Sequence, residues 1–363
     1  MIREWLSAVL RGDNPAWVFP EDMAYESILD QANEQGVVAL LHEHLSQATG
    51  LPIAFQQQLA QLARDKARES LMREAECRRI LLHLQQAGIR VLLLKGSALA
   101  YWAYRSAHLR DCSDIDLLFS SFAEARKAIG TLENLQYSLR DPALAGDLVS
   151  FEQTCVRDSS IGTGLEIDLH WQLSSSPIFA FQFDFEELNA DAQELPRLGP
   201  NAYGLSPVHA FFNACMHRVQ NMADGNENNL KWLYDLHLLA TRFNPADWKS
   251  LSDIAIERKL AGVCLDGLQA ARKEFSTPIP DEVFIAFLHA EKRERMRVHK
   301  MHGWLYIQTM SFMAFPGFSI RLRWLMQRLF PDTAYLRSRY GGKSGFFVLL
   351  GKRVFAGVRR LSR

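Results

Sequence analysis

Hydrophobic and polar residues follow two different periods along the chain, and the change from one to the other divides it into parts. Up to about Gly88 the pattern is helical, and the stretch from Phe55 is rich in Leu, Ala, Gln, Arg and Glu, which favour helices. Because glycine often ends a helix, this helix is predicted to stop at Gly88. The run Ile89–Leu94, apolar except for Arg90, then predicts a buried strand.

Strand and helix patterns alternate over the next hundred residues. A second strand is predicted from Asp114 to Phe119, followed by an amphipathic helix capped by Ser120 or Ser121. A turn at Gly162 and Gly164 leads into a strand with clear alternation. The later strand segments are 136–141 and 150–158, which have weaker patterns, and 165–173.

Strand patterns stop after Pro200, and helical patterns continue to about Pro316. The predicted fold class is therefore α+β, with a small mixed β-sheet core and its helices between an N-terminal helical segment and a C-terminal helical domain. The expected divisions are a helical segment (1–88), the α/β core (89–200), a helical domain (201–317) and a basic amphipathic tail (318–363).

Charge is unevenly distributed, although the 41 basic and 41 acidic residues balance. From Phe318 onward eleven basic residues are opposed only by Asp332, so the tail suits an anionic membrane surface, a nucleic acid or the acidic remainder of the chain. The five cysteines form no CxxC pair, and neither a signal-peptide pattern nor a run of ~20 apolar residues is present. A cytoplasmic protein is expected, with peripheral membrane contact through the tail.

Acidic residues occupy two of the predicted strands. Since alternate side chains of a strand share a face, Asp114 and Asp116 point the same way, as do Glu166, Asp168 and His170. If the two strands are neighbours, three carboxylates converge, and they repel one another strongly unless a cation lies between them. Mg²⁺ prefers oxygen ligands and completes its shell with phosphates, which points to phosphoryl transfer.

A structural role is the alternative for these acids, as strand-end caps or as ion-pair partners of Lys95 and Arg110. An isolated Asp-x-Asp would favour that alternative, because perturbed carboxylates are often structural. Here the two acids open an otherwise apolar strand, where they are costly without a function, and a glycine turn precedes them. The context therefore favours a metal site.

The turn Lys95-Gly96-Ser97 joins the first strand to a helix. Glycine lets the backbone approach a phosphate, and Ser97 with the free amides of the helix start can bind phosphate oxygens. Lys95 can neutralise a phosphate as a point charge. The alternative for Ser97 is a simple helix cap, and a P-loop is excluded because GxxxxGK[ST] is absent.

Together these residues resemble the polymerase-beta-like nucleotidyltransferase superfamily, which has a Gly-Ser turn, an Asp-x-Asp strand and a later third acid. The closer resemblance is to a bacterial family of uncharacterised nucleotidyltransferases, and it covers most of the chain. The matching motifs are Leu94-Lys95-Gly96, Tyr104, Arg110, Asp114-Ile115-Asp116-Leu117-Leu118, Asp168-Leu169-His170-Trp171, Leu205-Ser206-Pro207, His217, Leu230-Lys231-Trp232-Leu233-Tyr234-Asp235, Phe330-Pro331 and Arg339-Tyr340.

This resemblance implies a reaction. A nucleoside monophosphate would pass from an NTP, expected to be ATP, to an unknown acceptor (a small molecule, a sugar or a protein) with release of pyrophosphate. The implied cofactor is Mg²⁺ or Mn²⁺, and the helical domain would lie on the acceptor side. The implied residues are Asp114, Asp116 and Asp168 as catalytic acids and metal ligands, and Lys95, Gly96, Ser97 and Arg110 as nucleotide-binding residues.

Departures from the family pattern leave two other functions open. Asp168, preferred here over Glu166, is shorter than the Glu often found as third acid, and the interval from Ser97 to Asp114 exceeds that of shorter antitoxin-type members. The alternatives are an inactive nucleotide-binding or scaffold protein acting through its helices and tail, and an antitoxin that transfers AMP to a partner protein.

Nearby residues have alternatives of their own. Arg110 either contacts phosphate or forms a structural ion pair. His170 either lines the site or is a packed, hydrogen-bonded histidine. Lys231 and Asp235, four residues apart on one helix, are expected to pair with each other in preference to a role as acceptor contact or base.

Overall fold

The computed structural model describes residues 1–20, 25–141, 143–158, 164–341 and 345–361, the last range without side chains from 356 onward. Four helices precede the sheet: α1 (Ile2–Arg11), α2 (Tyr25–Glu34), α3 (Val38–Leu45) and α4 (Ile53–Gln86). The predicted stop after α4 is confirmed, because Gly88 adopts a left-handed conformation with φ 69° and its amide binds the Gln85 carbonyl.

The sheet is mixed and follows the order β3-β4-β5-β2-β1-β7-β6. Its strands are β1 (Leu92–Leu93), β2 (Ile115–Leu118), β3 (Ser138–Leu139), β4 (Glu152–Arg157), β5 (Leu165–His170), β6 (Gln193–Glu194) and β7 (Tyr203–Gly204). Strand β2 pairs in parallel with β5 and antiparallel with β1, so it lies in the middle of the sheet.

Helices connect the strands at several points: α5 (Lys95–Trp102), α6 (Phe122–Glu133), α7 (Pro177–Ala180) and α8 (Phe185–Ala190). The predicted cap of α6 is confirmed for Ser121, whose hydroxyl accepts a hydrogen bond from the Glu124 amide at 3.2 Å. Of the predicted glycine turn before β5, Gly162 lies outside the described residues.

One strand prediction is wrong. Strand structure does not end at Pro200, because β7 pairs in parallel with β1 and antiparallel with β6. Strands β6 and β7 have only two residues each, which is too short for a periodic pattern. The α+β fold class with a mixed sheet between helical segments is confirmed.

The rest of the chain is helical: α9 (Pro207–Gln220), α10 (Leu230–Arg242), α11 (Pro245–Glu257), α12 (Ala261–Phe275), α13 (Asp281–Glu291), α14 (Trp304–Ala314), α15 (Phe318–Leu329), α16 (Thr333–Tyr340) and α17 (Phe346–Leu361). Within the described residues, no helix has the length and apolar character needed to cross a bilayer.

Two hydrophobic cores lie on opposite faces of the sheet. One contains Leu92 and Leu118 of the sheet together with helices α1–α3 and α9–α13, so both ends of the helical structure share it. The other contains Leu117 and Ile167 with the end of α4 and with α6. The sheet therefore has one face toward the combined helical layer, and strand parity places Asp116 and Asp168 on that face.

The tail docks on the body through one side of α15. Trp324 is only 3% exposed, and Asp147 binds both Arg323 Nη2 and Gln327 Nε2 at 2.6 Å. The predicted alternative, contact with the acidic remainder of the chain, is therefore present. Large apolar side chains remain exposed elsewhere on the tail: Phe318, Leu322, Met326, Leu329, Phe330, Phe347 and Val348.

Candidate functional site

The acids of the two predicted strands meet because β2 and β5 are adjacent and parallel. The register pairs Asp116 directly with Asp168, and Asp114 lies one residue before β2 begins. The condition for convergence, that the two strands are neighbours, is therefore met, and Asp116 and Asp168 share one face of the sheet. Strand parity, together with the pairing of β2 and β5, explains why Asp116 and Asp168 lie side by side.

Asp116 is the buried centre of the site, with 2% of its surface exposed. Its Oδ1 accepts from Lys95 Nζ at 2.6 Å and lies 3.0 Å from His170 Nε2. Burial by itself raises the pKa of Asp116, but the Lys95 charge and the His170 hydrogen bond outweigh it and hold the pKa well below its usual range. Asp116 is therefore an ionised carboxylate inside the protein.

Asp168 has the opposite electrostatic environment. Burial raises its pKa and the charges of Asp116 and Asp114 raise it further, against a hydrogen bond from Thr154 that lowers it. That bond runs from Thr154 Oγ1 to Asp168 Oδ1 at 2.6 Å, across the β4–β5 pair. Burial and the Asp116 charge also raise the pKa of Asp114. The three acids therefore repel one another in the absence of a bound cation.

A possible set of metal ligands, among the residues that the structure describes, consists of Asp116, Asp168 and His170, which offer ligand atoms within 4.8 Å of one another. Two carboxylates suit Mg²⁺ or Mn²⁺, and the mutual repulsion of the acids is the charge that such an ion would neutralise. This set has His170 where Asp114 was expected, so the role of Asp114 as a ligand stays a prediction. The sequence placed His170 on the same face as Asp168, and the structure combines its two predicted alternatives: His170 is buried, and its Nε2 lies 3.0 Å from Asp116 Oδ1 in the site.

Glu166 has a different partner from Asp168. Its carboxylate forms an ion pair with Arg140, and both side chains are largely exposed. The preference for Asp168 as the third acid therefore agrees with the geometry.

Lys95 has an unusual backbone conformation, with a left-handed φ of 50° at the first residue of α5. This conformation costs a non-glycine residue about 1–2 kcal/mol. Burial lowers the pKa of Lys95, but the charge of Asp116 and its hydrogen bond raise the pKa above the usual range. The strained turn thus holds an ammonium group against the central carboxylate, a type of strain that is common at functional sites.

The next two residues of the turn have structural roles. A Cβ on Gly96 would lie 2.6 Å from Cys112 Sγ, so close packing against the strand entrance requires glycine here. Ser97 is not the helix cap, because α5 already begins at Lys95. Its hydroxyl instead donates to the Asp114 carbonyl at 3.2 Å and accepts from the Asp116 amide at 3.1 Å. Ser97 therefore positions the Asp-x-Asp backbone, and phosphate binding by both residues stays a prediction.

For Arg110 the structure favours the ion-pair alternative. Its Nε and Nη2 bind Asp235 at 2.8 and 2.7 Å, its Nη1 donates to the Asp111 carbonyl, and Tyr104 Oη donates to Asp235 Oδ1 at 2.7 Å. These groups are buried, and they connect the segment before β2 to α10. The expected pair between Lys231 and Asp235 is absent from the described residues, because Asp235 binds Arg110 and Tyr104 instead.

A small cavity of about 40 Å³ lies between the sheet and the helical layer, with room for about three waters. Lys95, Trp102, Asn213, His217 and Trp232 contribute to its lining. Burial, followed by the Lys95 charge, lowers the pKa of His217 to about 3, so its imidazole is neutral at physiological pH. The sequence pattern did not predict this cavity, because its residues are far apart in the chain.

Comparison with known proteins agrees with this geometry. A mixed sheet that brings two carboxylates into register beside a lysine-bearing turn combines possible ligands for a divalent cation with a group that can contact a phosphate. Residues 21–276 match a protein family described as "Uncharacterised nucleotidyltransferase", and the chain belongs to that family. Membership supports transfer of a nucleoside monophosphate and implies a nucleoside triphosphate as substrate. No curated protein matches the chain.

Proposed function

We propose that the protein is a divalent-cation-dependent nucleotidyltransferase of the polymerase-beta type. It transfers a nucleoside monophosphate from an NTP, with ATP as the first candidate, to an acceptor and releases pyrophosphate. The observation that carries this proposal is the in-register pair Asp116 and Asp168 on neighbouring parallel strands, with Lys95 bound to the first.

In this proposal Asp114, Asp116 and Asp168 hold Mg²⁺ or Mn²⁺, and His170 contacts the same position. The carboxylate pair and its unneutralised repulsion support the fit. When bound, the ion supplies positive charge to the triphosphate and to the leaving pyrophosphate.

The chain's own residues then perform positioning and proton transfer. Lys95 neutralises a phosphate oxygen once it leaves Asp116, and Ser97 keeps the Asp114 and Asp116 backbone in place. Asp168 accepts the proton of the acceptor hydroxyl. The acceptor oxygen forms a bond to the α-phosphorus, and the bond to the β-phosphate oxygen breaks.

The proposal keeps the division of the chain into the segments 1–88, 89–200, 201–317 and 318–363. We place the acceptor on the side of 201–317, because the cavity beside Lys95 is lined from that side by Asn213, His217 and Trp232. The acceptor classes to be tested are a small molecule, a sugar and a protein.

We also propose a cytoplasmic location with peripheral contact between 318–363 and an anionic membrane surface. The tail combines eleven basic residues with exposed apolar side chains such as Phe318 (73%) and Phe347 (83%). Apolar side chains beside cations are the combination that binds anionic lipid surfaces.

A transfer assay tests the proposed reaction. Purified protein is incubated with Mg²⁺, cell extract and each NTP labelled at the α-phosphate, and wild type is compared with Asp116→Asn and Asp168→Asn. We expect label on an acceptor with the wild type and at least about a 100-fold loss in both variants. Glu166→Gln, an exposed acid on the same face of β5, is the matched control and should retain activity.

The outcomes separate the functions. No label transfer and no NTP binding by the wild type, with all proteins indistinguishable, would refute the proposal. NTP binding without transfer would favour the nucleotide-binding scaffold. Label on a single partner protein encoded beside this chain would favour the antitoxin-type enzyme.

A further inference from the structure

Lys231 is a partly buried lysine without a carboxylate partner among the described residues. It lies at the second position of α10, and none of the ion pairs or side-chain hydrogen bonds of the described residues includes its ammonium group. Its stem crosses Gly36 so closely that a Cβ there would lie 2.4 Å from Lys231 Cδ. Gly36 itself has a left-handed φ of 64°, and the passage it leaves fixes the path of the lysine stem.

This path leads toward the candidate site. Lys231 is four residues before Asp235 on the same helix face, and Asp235 binds Arg110 of the segment that enters β2. Burial and the Asp116 charge raise the pKa of Asp114 in the same segment, and the positive charges of Lys95 and Lys231 oppose this rise. Burial, and then the Arg110 charge, lowers the pKa of Lys231. The ammonium group is therefore near the acids and Arg110, but on the side of the helical layer.

A charged ammonium group in this position lowers the stability of the fold unless a ligand offsets its charge. Burial and the Arg110 charge oppose the ammonium charge, and the charges of Asp111 and Asp235, neither of which forms an ion pair with Lys231, offset this cost only in part. A methionine would make the same contacts over Gly36 without the penalty. An anion that binds beside Asp114 and Arg110 would complete the environment of Lys231.

We propose that Lys231 is a phosphate-binding residue, which contacts the phosphate chain of the nucleoside triphosphate from the helical layer, while Lys95 contacts it from the sheet. This inference rests on the proposed function. It gives α10 a direct part in nucleotide binding and makes nucleotide affinity depend on how the helical layer sits against the sheet.

Binding measured without turnover tests the inference. Isothermal titration with Mg²⁺ compares ATP, AMP, adenosine and inorganic tripolyphosphate, the last of which carries no base. Lys231→Met keeps the packing over Gly36 and removes the charge, and Lys231→Arg retains the charge. Lys249→Met, an exposed lysine paired with Asp253 on α11, is the matched control.

We expect Lys231→Met to weaken the binding of ATP and tripolyphosphate by about 10- to 100-fold, which is the scale of one charge-assisted contact. The binding of AMP should weaken by less. Adenosine should bind unchanged, Lys231→Arg should recover most of the affinity, and Lys249→Met should match the wild type. Thermal unfolding of each variant shows whether the fold is retained.

Three results would overturn the inference. ATP and tripolyphosphate binding by Lys231→Met at wild-type strength would show that Lys231 does not contact phosphate. An equal loss for adenosine would show that it acts through the shape of the site. A loss confined to an anionic acceptor would assign it to the other substrate. Absence of any nucleotide binding by the wild type would instead refute the proposed function.

Discussion

At the scale of single residues, two carboxylates one strand apart have opposite protonation tendencies. The lysine and histidine around Asp116 keep it ionised, while burial and neighbouring charges raise the pKa of Asp168. Paired groups whose pKa values are pushed apart are typical of sites where one group binds charge and the other moves protons. The difference comes from the neighbours, because both residues lie at equivalent positions of paired strands.

Asp168→Asn should stabilise the protein in the absence of divalent cations. A raised carboxyl pKa means that the folded state disfavours the charged form, so this penalty is present at neutral pH and disappears as the pH falls. Because asparagine can still accept from Thr154, we expect the free energy of unfolding to rise by about 0.5–2 kcal/mol at pH 7. Urea denaturation with EDTA measures it.

The same variant should lose its response to Mg²⁺. Adding Mg²⁺ should raise the melting temperature of the wild type, since the ion binds the folded state, but should leave Asp168→Asn unchanged. Equal shifts of the melting temperature for both proteins would place the cation at another site. Without Mg²⁺, the difference in free energy of unfolding between wild type and Asp168→Asn should vanish by about pH 3.

His217 should make the protein sensitive to mild acid. Because its pKa falls from 6.5 to about 3 on folding, the unfolded chain binds the proton first. The contribution of the neutral His217 to the free energy of unfolding is therefore complete above pH 6.5. It is lost as the pH falls toward 3, by about 1.4 kcal/mol per pH unit. Between pH 8 and 5, wild type should lose about 2 kcal/mol more than His217→Gln in chemical denaturation. Equal losses of unfolding free energy in wild type and His217→Gln would contradict this prediction.

At the scale of elements, the strands before Pro177 could be predicted from the sequence, including the short β1 and β3, whereas β6 and β7 could not. β2 and β5 carry the acids and were predicted, as was the capped helix α6 between them. β6 and β7 are held by backbone pairing at the sheet edge, which leaves no periodic trace. The ion pair between Arg110 and Asp235 spans 125 residues, so local patterns could not identify it.

The turn before α5 shows the same limit, because the sequence suggested a phosphate-binding role for Gly96 and could not show its packing against Cys112. Gly96→Ala should destabilise the protein by about 1–3 kcal/mol, since its Cβ would overlap Cys112 Sγ. In a Cys112→Ala background the cost should fall by at least about 1 kcal/mol, which a double-mutant cycle of unfolding free energies measures. Gly130→Ala in α6 meets no atom within 4 Å and serves as control; it should stabilise slightly.

At the scale of the whole molecule, the tail covers part of the body and leaves an apolar, cationic surface. Wild type should co-sediment with vesicles that contain anionic lipid, less strongly at high salt, and should ignore purely zwitterionic vesicles. Phe318→Ser with Phe347→Ser should weaken binding on the order of 10- to 100-fold, because two aromatic side chains no longer leave water.

Ile53→Ser is the control for this surface, since Ile53 is 74% exposed on α4, outside the tail. Its binding should equal that of the wild type. Failure to bind anionic vesicles, or equal binding to zwitterionic ones, would show that the tail's exposed residues have another use.

The core shared by the first and later helices also affects the order in which a growing chain can fold. Helix α1 packs with α12, and Glu274 forms an ion pair with Arg3 and accepts from Ser7. Trp5 of α1 packs early on Trp17, Phe19 and Phe55, but the side of α1 that contacts α12 waits for about 250 further residues. At 5–20 residues per second this takes on the order of 10–50 s. A ribosome-bound chain that stops before α12 therefore exposes that side of α1, and we expect chaperones to bind the nascent protein there.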